Sequence, residues 1–168
     1  MKSDIQPINQ EIHYPDGKII VSKTDLQGRI TYCNELFTKM SGYKEQQLIG
    51  APHNIIRHPD MPRIIFKLLW DTVQKGSEIN AYVKNMSKTG AYYWVLANVT
   101  PSFDTKGSII GYFSVRRKPS QSQLAIIEPL YKELLFLEKE GGMDASYRKI
   151  EEILQQKDMN YEEFILSF

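Results

Sequence analysis

Residues 80–117 limit the possible folds most, because they form three strand-like segments joined by two tight turns. The turns, Ser87-Lys88-Thr89-Gly90 and Asp104-Thr105-Lys106-Gly107, combine polar residues and glycine as β-hairpin turns do. Strands joined by such short connections run antiparallel. The pattern therefore predicts an antiparallel meander whose strands are residues 80–87, 92–102 and 108–117.

The middle strand predicts that the sheet is covered on both faces. Alternate residues of a strand lie on opposite faces, and here both sets are largely apolar. The two sets are Tyr93, Val95, Ala97 and Val99, and Tyr92, Trp94, Leu96 and Asn98. A face left in water would normally be polar. Trp94 and Leu96 therefore predict a cover from the N-terminal segment, the C-terminal helices or a second subunit.

The residues before the meander predict two further strands and two helices. Residues 19–24 and 29–33 are β-branched segments on either side of a turn, which indicates a hairpin. Asn34 can cap a short helix over residues 35–40, and an apolar stripe predicts a longer helix from about residue 62 to 75. Together these elements indicate an α+β fold with a five-stranded antiparallel sheet and helices on one face.

The C-terminal residues show no strand pattern and predict a helical extension of three segments. The boundaries come from Pro129 in a first turn, Gly141-Gly142 as a break, Asp144 as a cap, and a capping box of Asn160 and Glu163. The apolar stripes of these short helices must be buried against the sheet, against one another or on a partner. The predicted division is an N-terminal cap (1–18), a central α+β domain (19–118) and a helical extension (119–168).

The segment from Pro52 to Pro62 is the strongest candidate for a binding site. Pro59 and Pro62 restrict the backbone, so that a regular helix cannot run through this segment. Rigid segments that carry arginine, histidine and aspartate often bind ligands. The structural alternative is a loop that caps the next helix, with Asp60 as the N-cap and Pro62 in the first turn.

The composition excludes several classes of protein. The 21 basic and 20 acidic side chains leave a net charge of +1, whereas a nucleic-acid-binding domain is normally strongly basic. No apolar segment approaches the roughly 20 residues of a membrane-spanning helix, and the single cysteine, Cys33, fits a reducing compartment. The usual nucleotide-binding, hydrolase and metal motifs are absent. We therefore expect a cytoplasmic protein that is not an enzyme, with no metal site, nucleic-acid partner or membrane insertion.

Four side chains suggest the chemistry of a ligand. Arg57 carries a fork of donors suited to phosphate, and Trp70 offers a flat face for an aromatic ring. Asn34 and Asn85 each combine a donor with an acceptor, as the edge of a heteroaromatic ring requires. Each also has a structural explanation: Asn34 as a helix cap, Asn85 as a turn residue and Trp70 as part of the core. Together they predict an aromatic ligand that bears phosphate.

The chain resembles PAS domains, and more narrowly the FAD-binding PAS domain of the bacterial aerotaxis receptor type. The resemblance covers residues 19–117, and the segment from Pro52 to Pro62 is its most specific part. Its other motifs are Asp25-Leu26-Gln27-Gly28, the run from Tyr32 to Phe37, Ser41-Gly42-Tyr43, Leu48-Ile49-Gly50, Lys84-Asn85, Lys88-x-Gly90, Tyr93-Trp94-Val95 and Gly111-Tyr112. The whole chain is similar to the PAS-only sensors of bipartite energy-taxis systems.

The resemblance implies a PAS fold, non-covalently bound FAD and a role as a redox sensor in aerotaxis. The cofactor-binding residues that it implies or that lie in its motif are Asn34, His53, Arg57, His58, Asp60, Trp70, Asn85 and Arg116. The implied partner is a membrane chemoreceptor, a methyl-accepting chemotaxis protein, which the sensor meets on the cytoplasmic side, and a homodimer is a further possibility. The alternatives are a cofactor-free interaction module, a haem sensor with His53 or His58 as axial ligand, and a flavoenzyme.

Overall fold

A computed structural model describes residues 5–168, so the first four residues of the predicted N-terminal cap lie outside it. The strands are β1 (Ile20–Thr24), β2 (Ile30–Cys33), β3 (Ile79–Met86), β4 (Tyr92–Phe103) and β5 (Ile109–Arg117). The helices are α1 (Glu35–Ser41), α2 (Glu45–Leu48), α3 (Arg63–Val73), α4 (Gln121–Lys157) and α5 (Tyr161–Leu166), with a 3-10 turn at His53–Ile56. The strands form one antiparallel sheet in the order β2-β1-β5-β4-β3. The predicted five-stranded α+β architecture and its helical extension are confirmed.

The predicted cover over the second face of the sheet comes from both ends of the chain. Trp94 and Leu96 are buried. The ring of Tyr131 in α4 lies 5.9 Å from that of Trp94, and its hydroxyl donates to the Tyr82 carbonyl at 2.6 Å. The hydroxyl of Tyr14 donates to the Trp94 carbonyl at 3.1 Å. The extension therefore shares the core of the sheet, while α3 packs against the opposite face.

The start of α3 differs from the predicted cap. Pro62 is the N-cap residue, with an extended backbone (ψ 138°), and the helix begins at Arg63. Asp60 lies two residues before the cap, and its carboxylate instead accepts from Lys84 Nζ at 2.8 Å. The structural alternative for this segment, with Asp60 as the N-cap and Pro62 in the first turn, therefore does not match the structure.

The helical extension begins earlier than predicted. Ser120 and Gln123 form a capping box at the start of α4, a local signal that is independent of any apolar stripe. Pro129 consequently lies inside the helix rather than in a first turn. The predicted break is confirmed at Gly142, whose φ of 73° and ψ of −173° are not helical, so Asp144 lies within the segment that resumes after it. The capping box of Asn160 and Glu163 is confirmed at α5.

None of the helices within residues 5–168 combines the length and the apolar character that crossing a bilayer would require.

Candidate functional site

A cavity of about 380 Å³ lies between α3 and the adjacent face of the sheet. Its apolar wall comes mainly from α3, through Phe66, Leu69, Trp70 and Val73, and from Val83, Ala97 and Val99 of the sheet. Its polar wall includes Ser22, His53, Asn54, Arg57, Asn85, Ser114 and Arg116. A largely apolar cavity with a few convergent polar groups is the usual form of a small-molecule site.

The structure brings five of the eight predicted site residues together. His53, Arg57, Trp70, Asn85 and Arg116 all line the cavity, although they come from a 3-10 turn, the segment after it, a helix and two strands. Asn85 and Arg57 are also joined by an isolated backbone bridge, which ties the 52–62 segment to β3. The candidate site therefore depends on the packing of α3 onto the sheet.

Asn34 lies outside this cavity and has a structural role. Its Oδ1 accepts from the amides of Phe37 and Val21, both at 3.1 Å, and its Nδ2 donates to the Ile19 carbonyl at 3.0 Å. These bonds cap α1 and join its start to β1. The helix-cap explanation of Asn34 is therefore the one that the geometry supports.

His58 and Asp60 also lie outside the cavity and shape the segment that carries Arg57. His58 is buried, and its Nδ1 accepts from the Asp60 amide at 3.0 Å. Burial and the nearby charge of Lys84 lower the pKa of His58 to about 4, against the opposing effect of Asp60. The pKa of the Asp60 carboxyl is lowered despite its desolvation, because Lys84 donates to it. These contacts anchor the segment to β3.

Arg57 lies at the edge of the cavity. Its Nη2 donates to the Met61 carbonyl at 3.2 Å, and its guanidinium lies 4.3 Å from the centre of the Phe66 ring. Desolvation lowers the pKa of Arg57, although the group stays charged at neutral pH. Arg57, Pro52 and Asn54 also line a second groove, of about 750 Å³, on the outer side of the segment. Arg57 therefore faces both spaces.

Arg116 is a buried cation without an acidic partner. It is only 2% exposed, and it forms none of the salt bridges found within residues 5–168. Its Nη2 contacts the Ser22 hydroxyl, its Nε donates to the Ser114 hydroxyl at 3.0 Å, and its buried Nη1 has no hydrogen-bond partner among the described residues. Burial lowers its pKa to about 10, so it remains charged at neutral pH. A buried cation of this kind favours a hydrogen-bond acceptor or a negative charge in the adjacent cavity.

His53 completes this polar cluster as a neutral imidazole. Its Nε2 lies 3.3 Å from Arg116 Nη2 and 3.1 Å from the Ser22 hydroxyl. Because a guanidinium only donates, Nε2 must be the unprotonated acceptor. Burial, and then the charge of Arg116, lower the pKa of His53 to about 3.

Ser22 and Ser114, which contact Arg116, were not among the predicted site residues. The two serines are paired across β1 and β5, and Ser114 shares a face with Arg116 because the two are separated by one residue. Small polar residues within otherwise apolar strands were the available signal. The ring of Trp70 packs closely against the backbone of Gly28. A side chain at that position would be crowded, because its Cβ would lie only 3.2 Å from the ring.

The described residues contain no group of three or more His, Cys, Asp or Glu side chains that could hold a metal ion. The polar groups of the cavity are instead two cations, Arg57 and Arg116, one neutral histidine, and amide and hydroxyl groups. This set suits an organic ligand with several acceptor atoms.

Comparisons with known proteins agree with this fold. A family model described as the PAS fold matches residues 30–116. The chain is 42% identical to the aerotaxis receptor of Escherichia coli over 134 residues, which are 80% of this chain and 26% of that protein. It is 27% identical to the nitrogen fixation regulatory protein of Klebsiella pneumoniae over 106 residues, 63% of this chain and 21% of that protein. The chain therefore spans about a quarter of these relatives or less.

Solved structures show the same fold at lower identity. The light-state structure of the blue-light photoreceptor Aureochrome1 LOV superposes with a TM-score of 0.60 at 22% identity, covering 66% of this chain and 88% of that one. A PAS domain from Colwellia psychrerythraea gives a TM-score of 0.56 at 22% identity, covering 61% and 87% of the two chains. Since the family model matches more than half of the sequence, the chain belongs to the PAS fold family.

Proposed function

We propose that this chain is a sensor that binds FAD in its cavity and reports redox state to a chemotaxis receptor. The observation that carries the proposal is Arg116, a buried cation without an acidic partner that lines a cavity with an apolar side formed by α3. The similarity to the aerotaxis receptor supports the sensory role. When bound, the flavin supplies a reversible redox change that alters the charge and protonation of its ring system.

The residues of the cavity fit a flavin ring. Trp70 and the other apolar residues of α3 can contact a flat ring face, and Trp70 is held edge to face with Tyr112 at 5.3 Å. Arg116 and Asn85 can serve the polar edge, where acceptors and a donor alternate. Asn34, His58 and Asp60 are proposed as supports of the site rather than as ligand contacts, because none of them lines the cavity.

The outer groove favours a dinucleotide over a mononucleotide. It shares Pro52, Asn54 and Arg57 with the cavity, so the two spaces adjoin at Arg57. Arg63 and Lys139 also line it, together with Glu138, which pairs with Arg63 at 3.4 Å. Arg57 and Lys139 would offer positive charge to a diphosphate, and a groove of about 750 Å³ leaves room for a nucleoside.

A signal could leave the cavity through β3 and β4. Asn85 would reorganise its hydrogen bonds when the charge at the ring edge changes, and it is paired with Tyr93 across β3 and β4. The next residue of β4, Trp94, lies on the opposite face and contacts Tyr131 of the helical extension. The proposed receiver is a methyl-accepting chemoreceptor on its cytoplasmic side, and two copies of the sensor could act together.

Haem binding is less well supported. The Nε2 of His53 already accepts from Arg116 and faces Ser22, and His58 lies outside the cavity. No observation favours a flavoenzyme. Ser22 lies 3.1 Å from His53 Nε2, but that nitrogen already accepts from Arg116, so its lone pair is not free to take the proton of the hydroxyl. A cofactor-free module would leave the buried cation Arg116 without an acidic partner.

We expect the protein to be yellow when it is purified without added cofactor, and we expect heat to release FAD. Chromatography of the released cofactor distinguishes FAD from FMN. A chain that releases FMN would show that the outer groove does not hold a nucleotide. Haem, or a colourless protein that does not take up FAD, would contradict the proposal as a whole.

We expect no cysteinyl-flavin adduct under blue light. Cys33, the only cysteine, lies at the end of β2 and does not line the cavity, and burial is the main reason that its thiol pKa is raised. A raised pKa reduces the fraction of reactive thiolate. Absorption spectra before and after illumination provide the measurement. Bleaching that recovers in the dark and is lost in Cys33→Ala would show the expectation to be wrong.

A further inference from the structure

The start of α3 lacks a cap from its own segment. The N-cap residue is Pro62, which has no side-chain hydrogen-bonding group, and the first turn contains no acidic residue. The first amides of a helix have no partner within the helix and need an acceptor, above all when they are buried. An acceptor from elsewhere in the chain is therefore required.

Glu138 of α4 supplies this acceptor from 75 residues away. Its Oε2 accepts from the Arg63 amide at 3.0 Å, and its Oε1 accepts from the Ile64 amide at 2.9 Å. The Glu138 side chain is only 6% exposed, so these are buried, charge-assisted bonds. A carboxylate at this end of a helix also interacts favourably with the helix dipole.

The same carboxylate joins the two parts of the helical extension. Glu138 precedes the break at Gly142, and Ser146 follows it. The hydroxyl of Ser146 is fully buried and donates to Glu138 Oε1 at 3.1 Å. The Ser146 hydroxyl also faces the Met143 carbonyl at 2.9 Å, so it bridges the carboxylate and its own segment. The start of α3 therefore contacts a carboxylate that both parts of the extension touch.

The helix that Glu138 caps forms one wall of the cavity. Phe66, in the first turn of α3, lines the cavity and lies against the guanidinium of Arg57. Arg57 in turn donates to the Met61 carbonyl, two residues before the helix begins. A shift of the first turn would therefore displace Phe66 and Arg57 together.

We infer that Glu138 is a positioning residue that couples the helical extension to the cavity. With the carboxylate in place, α3 and Arg57 are held in the geometry that binds ligand. Because such coupling is reciprocal, a bound ligand stabilises the contact between the extension and α3 by the same free energy. The identity of the ligand rests on the proposed flavin function, whereas the contacts of Glu138 do not depend on it. It identifies the extension as the element through which a change in the cavity reaches a partner.

The first test compares Glu138→Gln with Glu133→Gln by amide hydrogen exchange. Glutamine replaces one acceptor oxygen with an NH2 group that faces donors. The matched control makes the same charge change on the same helix at a half-exposed carboxylate that pairs with Lys149 across the break, at 3.1 Å. We expect exchange at Arg63 and Ile64 to rise about tenfold only in Glu138→Gln. Exchange in residues 143–157 should rise more in Glu138→Gln than in Glu133→Gln, which loses one half-exposed ion pair across the break. Unchanged exchange at both amides would overturn the inference, whether or not the protein binds flavin.

The second test measures FAD affinity and its reciprocal effect. We expect Glu138→Gln to bind FAD about fivefold to tenfold more weakly than Glu133→Gln. In the unsubstituted chain, saturating FAD should slow exchange in residues 143–157 as well as around the cavity. Protection restricted to the cavity would overturn the coupling. A chain that binds no FAD would instead contradict the proposed function and leave the exchange comparison of the two variants decisive.

A rescue experiment separates positioning from general stability. Serine is a preferred N-cap residue, and Pro62 has the extended backbone that an N-cap requires. We expect Pro62→Ser in the Glu138→Gln background to restore most of the FAD affinity while residues 143–157 still exchange rapidly. If the double variant binds FAD no better than Glu138→Gln, Glu138 does not act through the start of α3. This comparison also serves if Glu138→Gln alone is poorly folded.

Discussion

Replacing Arg116 with methionine should weaken FAD binding by up to about 100-fold and leave the apo protein folded. Hydrogen bonds from a charged donor contribute about 1.5–3 kcal/mol each, and methionine cannot donate to a ligand. The cavity would keep its shape, because methionine is long and flexible enough to fill much of the space of the arginine stem. Titration of apo protein with FAD, followed by flavin fluorescence, measures the effect.

Two opposing effects decide the stability of the apo variant. Burial of the Arg116 charge without an acidic partner costs on the order of 3 kcal/mol, judging from the pKa of about 10, and methionine removes that cost. Methionine also removes the donors that face Ser22, Ser114 and His53. We therefore expect the free energy of unfolding of the apo protein to change by less than about 1 kcal/mol.

Arg117→Met is the matched control for this prediction. Arg117 is the next residue of β5, it is exposed, and it does not line the cavity. The two variants lose the same charge, so a difference between them reports the position of the charge rather than net charge. Equal FAD affinity in both variants would show that Arg116 does not contact the ligand. If Arg116→Met unfolds and Arg117→Met does not, Arg116 is required for the stability of the fold.

The fold could be predicted because its signals are local. Alternating residues and turn residues such as Gly90 and Gly107 define the hairpins within a few positions, and the structure reproduces their boundaries to within a residue or two. The partner of an amphipathic helix is not a local property. The stripes of the extension showed that a face must be buried, but not that Tyr131 would contact Trp94.

The candidate site could be predicted only in part, for two physical reasons. Residues such as Trp70 and Arg116 come together because α3 packs on the sheet, and only the family resemblance indicated this. Asn34 satisfied the same chemical criteria and yet caps α1, because an asparagine before a helix serves either role equally well. The link from Glu138 to Arg63 spans 75 residues and has no sequence pattern at all.

Leu134→Ala should destabilise the whole protein by about 3 kcal/mol, because deletion of a buried leucine costs both hydrophobic transfer and a cavity. Leu134 is fully buried and lines a small void together with Ile65 of α3, Ile150 beyond the helix break, and Phe164 of α5. The change therefore reaches α3, both parts of α4, and α5. Urea unfolding provides the measurement.

Phe136→Ala is the control, since this aromatic residue lies two positions away and is 62% exposed. It should change the free energy of unfolding by less than about 0.5 kcal/mol. Two probes then show whether the extension and the sheet unfold together. Far-ultraviolet circular dichroism reports the helices. The fluorescence of Trp70, measured in a Trp94→Phe background because Trp94 contacts the extension, reports the central domain. If both share one core, the two transitions coincide and shift equally in Leu134→Ala. A shift in circular dichroism alone would make the extension a separate subdomain, and the coupling through Glu138 would then lose its structural basis.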